Sequence, residues 1–130
     1  MESGKIRRLI QVGIRTLNIH QREQAERFGL EIHEMRDLSR VDKINFEGPV
    51  FCSVDLDAFD HAFTPGVSHF EPGGMSTRFL LDSLRTFKGN LVGADIVKLN
   101  PRRDFHGLTA MVGAKVLKEL ISRIFLTNYS

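Results

Sequence analysis

The run Ser53-Val54-Asp55-Leu56-Asp57-Ala58-Phe59-Asp60 crowds three carboxylates directly after the apolar stretch Val50-Phe51-Cys52. In open α/β sheets, ligands gather just beyond the carboxyl ends of the strands, which is where these acids fall. If the strand continues through them, Asp55 and Asp57 share a side. Two carboxylates cannot both stay ionised in a buried place without a cation. Hard divalent ions prefer oxygen ligands, so Mg2+ or Mn2+ suits such a pair. An alternative of equal weight is that Asp55 and Asp57 cap the turn that follows. The surroundings add to the first reading. Thr64-Pro65-Gly66 and Glu71-Pro72-Gly73-Gly74 describe an elaborate loop over the same strand end, and structured loops of that length are usually functional. His61 and His69 lie in this loop and could contribute nitrogen donors, although loop imidazoles are the favoured reading of both. His20, His33 and His106 read as surface residues.

The elements that must position these acids alternate between short strands and amphipathic helices, which predicts an α/β fold with a mostly parallel sheet. Leu9 to Ile14 is a predicted strand with Ile10, Val12 and Ile14 on one face. Asn18 or a neighbour is placed to cap a polar helix through Arg27, closed by Gly29. Leu30 to Met35 is a second short strand, followed by a partly helical connection to Gly48-Pro49. Val50 to Val54 is nearly all apolar, as a strand buried on both faces should be. Ser76 caps a helix with Leu80, Leu84 and Phe87 on one face and Gly89 at its end. Leu91 to Val97 is the next buried strand. A last helix runs from the Asn100-Pro101 loop to about Phe125. Its Val112, Val116, Leu117, Leu120, Ile121 and Ile124 form a stripe expected to be core.

The 130 residues make one domain or part of one. A net charge of +2 gives no nucleic-acid stripe, and Lys5, Arg7 and Arg8 read as a solvated strand entry. The single cysteine, Cys52, forbids an internal disulfide and is expected as a buried, inert thiol. No signal peptide and no membrane-spanning stretch is recognisable, so an intracellular location is expected, with mitochondrion and cytoplasm undecided.

The acidic run, continued by Phe63-Thr64-Pro65-Gly66, resembles the C-terminal metal signature of the arginase/agmatinase (ureohydrolase) family. Gly93-Ala94-Asp95-Ile96-Val97, Asn100-Pro101 and Gly107-Leu108-Thr109-Ala110 are similar to the family's next strand, loop and helix. Val67-Ser68-His69-Phe70-Glu71-Pro72-Gly73-Gly74 and Gln11-Val12-Gly13-Ile14-Arg15 look most like the plant-type arginases. The resemblance implies a three-layer α/β/α fold, incomplete here at its N-terminal side, so that residues 1–130 form the C-terminal part of a single domain. It also implies a pair of Mn2+ ions and hydrolysis of a guanidinium substrate, arginine or agmatine, to urea. Asp55 and Asp57 match two metal ligands. Asp60 matches an acidic residue beside them with a supporting or proton-handling role. Asn18 lies near a segment that recognises the substrate's amino-acid end, with helix capping as its equal alternative. A homo-oligomer is implied as well.

The sequence also departs from the pattern. The family's Gly-Gly-Asp-His and Asp-Ala-His-x-Asp ligand motifs do not occur, and Met1 falls at an internal methionine of the plant-type enzymes. Lys98 stands where the family has a glutamate that grips the guanidinium. A like charge at about 4 Å would oppose binding by ~4 kcal/mol; alternatively Lys98 snorkels to solvent and leaves the slot empty, which still loses the anchor. His61 replaces a proline. Two readings follow: a guanidinium hydrolase needing the missing motifs from elsewhere, or an inactive fragment acting as an interaction subunit of homologous oligomers.

Overall fold

The computed structural model describes residues 5–39 and 41–128, and of residues 127 and 128 the backbone alone. Met1 lies outside the described residues. The chain divides into two units, Met1–Val41 and Asp42–Ser130.

In the first unit, strand β1 (Ile10–Ile14) pairs in parallel with β2 (Glu31–Glu34), joined by helix α1 (Ile19–Phe28). Asn18 begins α1 with a reciprocal capping box: its side chain accepts from the Gln21 amide, and the Gln21 side chain accepts from the Asn18 amide. Gly29 ends the helix in the left-handed conformation, φ 61°, as a residue lacking Cβ does most cheaply. Arg8 and Glu31 form an ion pair where the two strands begin. The register of β1 breaks between Val12 and Ile14, around Gly13 at φ 84°. The predicted single apolar face of Ile10, Val12 and Ile14 is therefore interrupted by a bulge.

In the second unit, β3 (Pro49–Asp55) pairs in parallel with β4 (Asn90–Val97). The crossover contains helix α2 (Thr77–Thr86), capped by Ser76, whose hydroxyl accepts from the Phe79 amide. Helix α3 (Leu108–Asn128) packs on β4 and against α2. The core gathers Leu81 and Leu84 of α2, Leu91 of β4, and Val116 and Leu120 of α3, the last two fully buried. The chain is thus α/β with parallel strand pairs, as the alternating pattern predicts.

Three expectations need correction. The run Val50–Val54 is not buried on both faces: Phe51 is 63% exposed and only Val54 is buried. The strand Leu91–Val97 likewise leaves Val92 half exposed. Along the α3 stripe Val116 and Leu120 are fully buried, Val112 and Ile124 are half-buried, and Leu117 and Ile121 are exposed. In each case the apolar side chain is suited to burial, but no described element covers that face. No described helix is long and apolar enough to cross a membrane.

Candidate metal centre at the tip of β3

Strand β3 ends at Asp55, and the chain turns at once into one 3-10 turn, Leu56–Ala58. The strand therefore does not continue through Asp57, and strand alternation does not set the relation between the two acids. Instead Asp55 Oδ1 accepts the Asp57 amide at 2.8 Å, the turn-capping alternative. Leu56 and Phe59, both 1% exposed, drive their side chains into the core between the acids. Asp55 and Asp57 stay half-buried at the tip, and one carboxylate oxygen of Asp57 is fully enclosed.

The three acids do different things. Asp55 is half-buried, and burial pushes its carboxyl above the ordinary range; the Asp57 charge adds to this, while the Asp57 amide, Lys98 and His69 oppose it. Asp57 Oδ2 lies 3.2 Å from His69 Nδ1, so the imidazole donates to the carboxylate. Asp60 faces the loop. Its Oδ1 accepts the Ala62 amide at 2.9 Å, and its Oδ2 accepts those of Gly73 and Gly74 at 2.7 and 3.2 Å. These backbone donors hold its carboxyl below the usual range.

The loop from Asp60 to Met75 is stapled at both ends. Phe59 and Met75 form a parallel bridge, with the Asp60 amide donating to the Met75 carbonyl. Gly74 lies so close beneath that a Cβ there would stand 2.3 Å from the Asp60 nitrogen. The buried Thr64 hydroxyl donates to the Leu56 carbonyl. The Gly66 amide donates to Thr109 Oγ1 at 2.6 Å, and the Asn100 amide to the Gly66 carbonyl at 2.8 Å. Asp104 accepts the Thr109 and Ala110 amides at the start of α3. The loop thus joins the tip of β3 to the turn after β4 and to α3. Thr109 falls in the Gly107-Leu108-Thr109-Ala110 stretch that carries the resemblance, but its bond to Gly66 is revealed only by long-range proximity.

Lys98 follows Val97, the residue that registers with Asp55 across the sheet. It is exposed and takes φ 73°, a left-handed conformation shared only with His106 among described non-glycine residues. Asn18, by contrast, lies in the first unit, where its side-chain oxygen is committed to capping α1. His61 meets Phe70 in a tilted ring contact, centroids 5.8 Å apart. The first unit also holds a cleft of about 640 Å3 whose lining mixes apolar residues such as Leu17, Phe28 and Ile32 with polar ones such as Gln11, His20 and Gln24. No acid lines it.

The carboxylates are the right donor type for a hard divalent ion. Their number is wrong. No group of three His, Cys, Asp or Glu side chains able to hold a metal ion occurs among the described residues, and a pair of ions needs several more ligands than Asp55 and Asp57 supply. The described residues do not by themselves fit a Mn2+ pair.

Comparison with known proteins decides the lineage. The arginase family model matches residues 1–122. The chain belongs to the arginase family. It is 48% identical to the mitochondrial Arginase 1 of Arabidopsis thaliana, over 95% of this chain and 39% of that one. Guanidinopropionase of Pseudomonas aeruginosa is 38% identical over 84% of this chain and 32% of its own length. The solved structure of the arginase from Medicago truncatula superposes with a TM-score of 0.85 at 44% identity, covering 95% of this chain and 41% of that chain. The arginase-type α/β/α architecture predicted from the resemblance is confirmed by that superposition. The chain spans about two fifths of the length of these plant relatives.

Proposed function

We propose that residues 1–130 are the C-terminal part of a single ureohydrolase domain that cleaves a guanidinium compound, and that Asp55 and Asp57 are its contribution to a Mn2+ centre. The remaining ligands would come from outside these 130 residues. The observation that carries this reading is the tip of β3: a half-buried acid pair held by a closed, multiply stapled loop in an arginase-family chain. Asp55 and Asp57 would face the ion, and Asp60 would hold the loop. A carboxyl engaged by three amides and acidified by them is a poor proton carrier near neutral pH, so of its two expected roles the supporting one is favoured. Asn18 would act through its helix cap. The substrate is a small guanidinium molecule; arginine, agmatine and 3-guanidinopropanoate all fit the class. An intracellular homo-oligomer without nucleic-acid or membrane partners completes the reading.

A second reading, an interaction subunit without catalysis, is favoured by Lys98. Lys98 follows the residue that registers with Asp55, so it brings a cationic residue, where the resemblance to the family implies a glutamate, to the end of the neighbouring strand. One experiment separates the two. The chain is co-expressed with the N-terminal part of a plant arginase, and urea release from the three substrates is measured with Mn2+. The hydrolase reading predicts release by the pair and by neither part alone, with a higher rate in Lys98→Glu. Silence of both the natural sequence and Lys98→Glu contradicts it. Silence of the natural sequence alone, with release by Lys98→Glu, favours the second reading, which then requires co-purification of the chain with a full-length homologue.

A further inference from the structure

We propose that Arg103 is a positioning residue for the tip of β3: it grips the chain on both sides of His69 and so holds that imidazole against Asp57. Arg103 Nη1 donates at 3.1 Å to the Ser68 carbonyl, which belongs to the peptide leading into His69. The same guanidinium lies over the ring of Phe70, the next residue after His69, 5.4 Å from its centroid. A planar guanidinium can stack and donate at once. Asn100 adds a third hold, donating from Nδ2 to the Ser68 hydroxyl at 3.0 Å. Arg103 is itself fixed. Its amide donates to the Asn100 carbonyl at 3.0 Å, and the Asn100 amide is tied to the Gly66 carbonyl. Its neighbour Asp104 accepts the amides that begin α3.

The grip matters because His69 has little else to hold it in place. Its side chain is 77% exposed, yet its Nδ1 stays 3.2 Å from Asp57 Oδ2. In water a single exposed hydrogen bond gains little, and keeping it costs the ring its rotamer freedom. Such a contact persists where the backbone beneath the ring is already ordered, and the holds on Ser68 and Phe70 order it. Asp57 is oriented in turn. One of its carboxylate oxygens is enclosed, and the other meets the imidazole. Arg103 thus acts through His69 on the direction in which Asp57 points. What that direction serves rests on the hydrolase reading; the placement itself does not.

The test has two arms. In the first, magic-angle-spinning NMR of the 130-residue chain with 15N-labelled histidine, which tolerates association, reads the proton on each ring nitrogen. It is run at about pH 8.5, above the ordinary imidazole range, and His69→Gln identifies the signal. Donation to Asp57 fixes the Nδ1–H form of a neutral ring, whereas a released ring exchanges between both forms. The natural chain shows Nδ1–H alone and Arg103→Ala shows the mixture. Arg103→Lys, which keeps a cation and a donor, falls between them. Phe70→Ala, which removes the stack and leaves the Ser68 bond, does the same. Arg103 is exposed, so its replacement leaves the core intact. In the second arm, Arg103→Ala in the co-expressed pair lowers kcat by about tenfold with KM within about twofold. A mixed ring in the natural chain overturns the proposal. So does an Nδ1–H ring in Arg103→Ala, or an unchanged kcat in an active pair. A pair that releases no urea with the natural sequence or with Lys98→Glu overturns the hydrolase reading instead, and the NMR arm still decides the placement.

Discussion

Asp55 and Asp60 belong to one short acidic run, yet their surroundings push their carboxyl groups in opposite directions. Asp60 is acidified by three backbone amides, and Asp104 is acidified in the same sense, burial opposing, by the amides of Thr109 and Ala110. A carboxyl whose folded value lies below its unfolded value near 3.9 stabilises the fold above that pH and stops doing so as pH falls through the folded value. Acid unfolding of the chain should therefore flatten below about pH 4 in Asp60→Asn and Asp104→Asn, as followed by circular dichroism. Asp55 has the opposite sign. Burial raises its carboxyl, so its contribution is present at low pH and is lost as pH rises from the unfolded value through the folded one. Asp55→Asn should raise the urea midpoint at pH 7 while removing function, the trade expected where a strained site serves chemistry. The sequence revealed these acids because their type and crowding are unusual. It left their division of labour open, because that depends on the Ala62, Gly73 and Gly74 amides brought round by the loop.

Helix ends were the most legible elements. Asn18, Gly29 and Ser76 stand where the chain caps and stops α1 and caps α2, since these interactions lie within a turn of the residue that makes them. The α3 stripe was less legible. Periodicity marks Val116, Leu117, Leu120 and Ile121 alike, but of these only Val116 and Leu120 are buried. Leu120→Ala should therefore cost about 2–5 kcal/mol in urea denaturation, whereas Ile121→Ser should change stability by less than about 0.5 kcal/mol. The loop after Asp60 yields a sharper contrast. At Gly74 an added Cβ would meet backbone atoms of Phe59 and Asp60 at 2.3–2.6 Å. Gly74→Ala should destabilise by about 1–3 kcal/mol, and Gly73→Ala should cost only its left-handed strain, since nothing lies near its missing Cβ.

At the scale of the whole molecule, the parallel order of strands follows from alternation alone, whereas the burial of β3 and β4 does not. Phe51, Val92 and Leu117 present apolar surface that no described element covers, and the chain spans about two fifths of its plant relatives. Exposed apolar faces and unpaired strand edges promote association. The chain by itself should sediment as oligomers or aggregates in analytical ultracentrifugation, and Phe51→Ser should shift that distribution towards smaller species. A monomer with a sharp unfolding transition would contradict this.

The claim on which the account rests is that the tip of β3 faces the reacting centre of a guanidinium hydrolase, and substitution of its acids in the co-expressed pair tests it most directly. Urea release should fall by at least about a hundredfold in Asp55→Asn and in Asp57→Asn, while Asp60→Asn retains activity to within about tenfold at temperatures where the loop stays folded. Unchanged urea release from Asp55→Asn and Asp57→Asn would contradict the account.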